Sequence, residues 1–206
     1  MSADPTSPSN PAPLPRDEDL PLLGIAAWSG TGKTTLLEAL LPRLAERGLR
    51  VAVIKHAHHT FDVDQPGKDS HRLRQAGAAP MLVASRERLA MMMETPGQQE
   101  PDLARLVALV ATQAPDLVLV EGFKAWPLPK LELHRPALGK PLRVAEDPWV
   151  RAVACDVPLA LPEGVEALDL NDHEALADWI AAWPARWPEE RRPRATHPLS
   201  QGSVSP

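Results

Sequence analysis

Residues 22–37 read Leu-Leu-Gly-Ile-Ala-Ala-Trp-Ser-Gly-Thr-Gly-Lys-Thr-Thr-Leu-Leu. Leu22 to Ala27 form a continuous apolar run, the pattern of a parallel strand buried on both faces. Leu36, Leu37, Leu40, Leu41 and Leu44 then recur on one helical stripe, which Gly48 stops. Between strand and helix lies Ser29-Gly30-Thr31-Gly32-Lys33-Thr34-Thr35, a phosphate-binding loop. Gly30 and Gly32 let successive N–H groups turn inward toward phosphate oxygens. The helix beginning near Lys33 adds its dipole and its unpaired N–H groups. Lys33 brings a cation to the terminal phosphates, and the Thr34 hydroxyl is suited to ligate Mg²⁺. The usual pattern, G-x-x-x-x-G-K-[ST], has glycine where this chain has Ala27, which forbids positive φ without strain. Trp28 stands where one subgroup of such ATPases carries a second lysine, which disfavours that subgroup.

Outward from the loop, apolar strands and amphipathic helices alternate. Val51 to Ile54, Met81 to Ala84 and Leu117 to Val120 read as strands, with weaker ones at Leu131 to Leu133, Val150 to Cys155 and Ala167 to Leu170. Asp69 or Ser70 caps a short helix ending near Gly77, and Leu103, Leu106, Val107 and Val110 mark another helix. Asn171 with Glu174 resembles a capping box for a last helix carrying Leu176, Trp179, Ile180 and Trp183. This alternation predicts a three-layer α/β fold, a largely parallel sheet flanked by helices in the manner of P-loop NTPases.

The 206 residues include 24 prolines, concentrated at the two ends. Residues 1–19 and 184–206 are therefore expected to be disordered tails around one domain spanning 20–183, with Pro184 stopping the last helix and 189–194 a solvated charge run. A single cysteine, Cys155, excludes a disulfide framework and a multi-cysteine zinc site. The start lacks a basic, apolar leader, and no run is long enough to span a bilayer, so the chain reads as cytoplasmic. A net charge of −5 gives no reason to expect nucleic-acid binding.

A P-loop needs a carboxylate at the end of a neighbouring strand, and Glu121 follows Leu117 to Val120. Pairing of Glu121 with Lys124 is the structural alternative. Lys55-His56-Ala57-His58-His59-Thr60-Phe61-Asp62-Val63-Asp64 is denser still. A transition-metal site, a switch-like loop placing Asp62 or Asp64 in a Mg²⁺ shell, and a plain exposed loop all fit it. Lys68, Arg72 and Arg74 suit an anionic substrate, or a solvated helix face. No Asn-Lys-x-Asp element reads guanine, and Asp156 is only weakly placed for that role, so the residues leave GTP and ATP unseparated.

Residues 26–37, Ile-Lys-His-Ala-His-His at 54–59, Asp-Val-Asp-Gln-Pro-Gly-Lys-Asp-Ser at 62–70, Ala-Gly-Ala-Ala at 76–79, Glu-Thr-Pro at 94–96, Leu-Val-Glu-Gly-Phe-Lys at 119–124 and Ala-Cys-Asp-Val-Pro-Leu at 154–159 together resemble the molybdopterin-guanine dinucleotide biosynthesis adapter proteins, the MobB family. The resemblance spans about Leu22 to Trp183. It implies a homodimeric GTP-binding protein with slow intrinsic hydrolysis, assisting the molybdenum cofactor guanylyltransferase, and a possible pterin ligand. Ser29 to Thr35 would cradle the phosphates. Lys33, Asp64 and Glu121 would serve hydrolysis, and Thr34, Asp62, Asp64 and Glu121 would surround Mg²⁺. The rival expectations are a small P-loop kinase and a metal chaperone using His56, His58 and His59.

Overall fold

The computed structural model describes residues 20–57 and 61–194. The two terminal tails expected from proline content thus lie largely outside the described residues. The described chain divides into two compact units: one runs to His56 and resumes at Leu103, and the other is Ala57–Asp102.

The first unit is built on a six-stranded sheet in the order β2-β5-β1-β6-β7-β8, with every pairing parallel. Its strands are β1 (Leu22–Ala27), β2 (Val51–Lys55), β5 (Leu117–Glu121), β6 (Lys130–His134), β7 (Val150–Cys155) and β8 (Glu166–Asp169). Helices α1 (Lys33–Glu46), α3 (Leu103–Ala111), α4 (His173–Ala181) and α5 (Trp183–Glu190) belong to the same unit. The core joins Leu23, Leu119 and Leu131 of the sheet to Leu40 and Leu44 of α1 and Leu176 and Ile180 of α4. α1 runs as one element through Pro42. The second unit contains α2 (Asp69–Gln75) and an antiparallel pair, β3 (Met81–Ala84) with β4 (Leu89–Met92). β4 has no counterpart in the sequence reading, because Leu-Ala-Met-Met carries neither alternation nor β-branched residues.

The polypeptide beyond Trp183 departs from expectation. Pro184 closes α4 but occupies the first turn of α5, where its missing N–H costs nothing. Trp187 joins the core, so ordered structure extends past the boundary expected at residue 183. The charged run is not simply solvated either. Buried Arg151 of β7 pairs with Glu190 at 2.5 Å and also donates to the Glu190 and Arg192 carbonyls. A buried guanidinium requires this anion, and the partner lies thirty-nine positions away. Two caps also shift: Lys68 precedes α2 without a side-chain cap, and Asp172, not Asn171, accepts from the Ala175 N–H.

The connection from β6 to β7 contains no α-helix, only a 3₁₀ turn at Pro136–Leu138. The face of β6 it covers carries Lys130, Glu132 and His134, all buried, while Leu131 and Leu133 on the opposite face enter the main core. Glu132 ties the connection down by accepting the backbone N–H groups of Arg143 (2.7 Å) and Val144 (2.9 Å). Lys130 reaches Asp147 at 3.0 Å and the Trp126 carbonyl at 2.8 Å. Burial pushes the Glu132 carboxyl up from its ordinary range, against the opposing pull of those two N–H groups. A raised carboxyl contributes stability that is full below its unfolded value and lost as pH rises through its folded value. Melting wild type and Glu132→Gln from about pH 7 down to about pH 4 should move the difference in Tm toward wild type as pH falls. A pH-independent difference would contradict this account.

Candidate functional site

The site is assembled at the carboxyl edge of the parallel sheet. The chain leaves β1 for β2 on one side, and β6 continues to β7 on the other, so the adjacent β1 and β6 straddle a topological switch point. Ligands in open α/β sheets bind in the crevice at such a point.

Ala27 is the last residue of β1, fully buried in extended backbone, and is not among the residues of positive φ. The departure from glycine therefore carries no strain. Gly30 and Gly32 take φ of 83° and 96°, the left-handed region that glycine adopts freely. Thr31 is buried and spends its hydroxyl inside the loop, donating to the Trp28 carbonyl at 2.8 Å. Gly32 precedes α1 with no side-chain cap, and no acidic residue occupies the first turn. The leading N–H groups of Lys33, Thr34 and Thr35 are thus left for an anion rather than for the protein. Ser29, Thr34 and Thr35 are exposed and Lys33 is half-buried.

Two flanking residues hold this loop, and neither was singled out for that role by sequence. Arg135, just after β6, donates from Nε to the Thr31 carbonyl at 3.1 Å. Asp156, just after β7, fixes Arg135 through a 2.7 Å ion pair. The sequence signal was slight: each is a single charged residue following a short strand.

Glu121 closes β5, in register with Lys55 of β2, and their side chains approach to 3.7 Å. Its structural partner is thus Lys55 rather than Lys124. The backbone then turns at Gly122, with φ of 94°, where a Cβ would lie 2.8 Å from the His56 Cβ. Only glycine admits this approach of the loops after β2 and β5. His56 donates its N–H to the Glu121 carbonyl at 2.9 Å and sets its ring against Phe123, centroids 5.2 Å apart. His58 and His59 lie outside the described residues.

In the second unit Asp62 and Asp64 gather around Arg74. The guanidinium meets Asp62 at 2.5 Å, Glu94 at 2.6 Å and Asp64 at 3.7 Å, and its side chain is only 10% exposed. Arg74 is therefore neither a solvated cation nor one left for a ligand, as the sequence reading offered; Lys68 and Arg72 remain exposed. The Asp64 N–H and then the Arg74 guanidinium hold the Asp62 carboxyl below its ordinary range. Asp64 accepts from the Ser70 hydroxyl at 2.7 Å through Oδ1, while its buried Oδ2 has no hydrogen-bond partner among the described residues. Among the described residues no group of three or more His, Cys, Asp and Glu side chains is arranged to hold a metal ion. No helix among them is long and apolar enough to cross a membrane.

The sequence model of molybdopterin guanine dinucleotide synthesis protein B, MobB, matches residues 22–156, which carry the loop, Glu121, Arg135 and Asp156. The chain belongs to the MobB family. It is 53% identical over 165 residues to the molybdopterin-guanine dinucleotide biosynthesis adapter protein of Escherichia coli, covering 80% of this chain and 93% of that protein. The adapter protein of Haemophilus influenzae is 46% identical over 168 residues, covering 81% and 91%. A crystal structure of molybdopterin-guanine biosynthesis protein B superimposes with a TM-score of 0.62 at 29% identity, covering 80% of this chain and 99% of that one. The parallel sheet flanked by helices is the P-loop NTPase architecture of the MobB structures.

Proposed function

We propose that this protein is a GTP-binding adapter in molybdopterin guanine dinucleotide biosynthesis, acting with the molybdenum cofactor guanylyltransferase as a homodimer in the cytoplasm. The observation that carries the nucleotide part is α1: its first turn presents uncapped N–H groups behind two left-handed glycines and Lys33. The MobB relatives supply the pathway, and guanine is the base their names imply. Mg²⁺ suits the oxygen donors present. Thr34 presents an exposed hydroxyl, and among the described residues the Glu121 carboxylate is engaged only by Lys55, at 3.7 Å. Asp62 and Asp64 are the further candidates, Asp64 with an unbonded oxygen. Lys33, Glu121 and Asp64 would support slow hydrolysis.

Titration with GTP and ATP, each with and without Mg²⁺, tests the base and the metal; tight selectivity for ATP would remove the guanine assignment. Capture of the guanylyltransferase by the tagged protein, stronger with GTP than without, tests the adapter role. Arg135 acts through Thr31, which sets a second expectation. Arg135→Ala and Asp156→Ala should each weaken GTP about three- to tenfold, and the double variant no further, because one residue works through the other. Additive losses would show that the two act separately.

A further inference from the structure

Two connections without an α-helix flank β7: residues 135–149 lead into it from β6, and residues 156–165 lead out of it to β8. Their apolar side chains form a small core of their own. Leu142 and Val144 come from the first connection, Leu159 and Leu161 from the second, and Val150 and Val153 from β7. Each connection also reaches the phosphate-binding loop. The Pro141 carbonyl of the first accepts the Trp28 indole N–H at 2.9 Å. Asp156 opens the second and holds Arg135, which donates to the Thr31 carbonyl. The loop is thus held at Trp28 and at Thr31 by chain that belongs to, or is fixed by, the small core.

Arg194 joins the two connections. Its backbone N–H donates to the Pro148 carbonyl at 3.0 Å. Its guanidinium donates to the Val144 carbonyl and to the Glu163 carbonyl, each at 3.3 Å. Val144 is thereby gripped on both sides, since Glu132 takes its N–H at 2.9 Å. The Pro148 carbonyl receives a second bond from Arg151, at 3.0 Å. The Arg194 Nε–H is buried too, with no hydrogen-bond partner among the described residues, so the guanidinium is seated in this surface rather than in water. A rigid fork of donors suits carbonyls that belong to different segments. The ion pair of Arg151 with Glu190 brings the chain end to that place. A core this small opens locally before the sheet does, and a clasp across its two connections has its largest effect there.

We infer that Arg194 is a positioning residue for the phosphate-binding loop: it clasps the two connections together, and they fix the loop through Trp28 and through Asp156 and Arg135. Its effect on nucleotide affinity rests on the reading of Ser29–Thr35 as the nucleotide site. Its effect on the order of the loop does not.

The test compares the full chain with Arg194→Ala, Trp28→Phe and the double variant. Amide hydrogen exchange is followed without ligand, and GTP is titrated by calorimetry well below the melting temperature. Trp28→Phe keeps a ring and removes the indole donor. In Arg194→Ala the amides of residues 28–35, 143 and 144 are expected to exchange at least about tenfold faster. GTP should bind about three- to tenfold more weakly to the same variant. The double variant should lose less than the product of the two single losses, because part of the effect of Arg194 passes through the Trp28 bond. Arg186→Ala is the control. Arg186 bonds to Glu166 and Glu190 and covers Trp179 and Trp183, away from both connections. Its loss should lower the melting temperature yet leave loop exchange and GTP affinity within about twofold. Unchanged exchange at residues 28–35 in Arg194→Ala, or equal loosening of the loop by Arg186→Ala, would overturn the clasp. A wild-type chain that binds no GTP would refute the nucleotide site instead, and the exchange result would then decide the clasp by itself.

Discussion

Lys33→Ala is expected to weaken GTP binding by at least about 100-fold, to below detection in an ordinary titration, while leaving the melting temperature almost unchanged. The asymmetry follows from where Lys33 sits. It opens α1 behind Gly32, half-exposed, and has no carboxylate partner among the described residues. Its ammonium therefore contributes little to the fold, since surface changes away from packing usually shift stability by about 0.5 kcal/mol or less. Next to a triphosphate it supplies the only side-chain cation of the loop, where each charge-assisted contact is worth about twice a neutral one. Arginine at the same position keeps the charge but not the compact, three-donor head, so Lys33→Arg should recover only part of the affinity. Calorimetric titration with GTP, paired with a thermal melt, checks both halves. Undiminished affinity would place the phosphates elsewhere.

Trp183→Ala is expected to destabilise the protein by about 3–5 kcal/mol, a fall in Tm on the order of 10 °C for a chain of this size. Trp183 is fully buried at the start of α5, with its ring 5.3 Å from that of Trp179. Arg186 lies over both indoles at 5.0 and 5.4 Å. The indole N–H donates to the Leu22 carbonyl at 3.0 Å, on the strand that leads to the phosphate-binding loop. Alanine leaves a large cavity and strands that carbonyl. Trp183→Phe fills most of the space and loses only the donor and some volume, so it should cost about 1–2 kcal/mol. If alanine and phenylalanine behaved alike, packing would not be the main contribution of this residue.

These two residues differ in how visible they were. Lys33 belongs to the seven-residue string Ser29–Thr35, in which glycine permissiveness, a helix start and a cation stand in fixed order, so neighbours in the chain are neighbours in space. Trp183 was recognisable as part of an amphipathic face, because its spacing from Trp179 and Ile180 is local. That α5 follows at once was not recognisable, since Pro184 stops one helix and starts the next equally well. β1 and β5 were legible for the same local reason: buried parallel strands are short apolar runs, and no polar pattern competes with them. β2 carries the same kind of apolar run, although it is the partly exposed edge of the sheet.

The arrangement of charge followed the opposite rule. Glu132 looks like the exposed residue of an alternating strand, yet it is buried and holds the backbone of residues 143 and 144. Arg135 and Asp156 read as ordinary strand-end charges, yet they hold Thr31 in place. Arg74 reads as a basic helix residue but is enclosed by carboxylates, one of them twenty positions away. Trp28 gave reason to reject a subgroup of ATPases, but nothing in its neighbourhood along the chain announced a cavity shared with Lys124 and Arg143. Local backbone chemistry and periodicity thus suffice for the phosphate-binding loop and the parallel α/β order, because both are written over a few consecutive residues. The partners of the buried charges, and the cavity beside the loop, depend on strand register and on the path of a helix-free connection. Those come into being only when distant segments pack, and a charged residue looks the same along the chain whether water or another side chain will meet it.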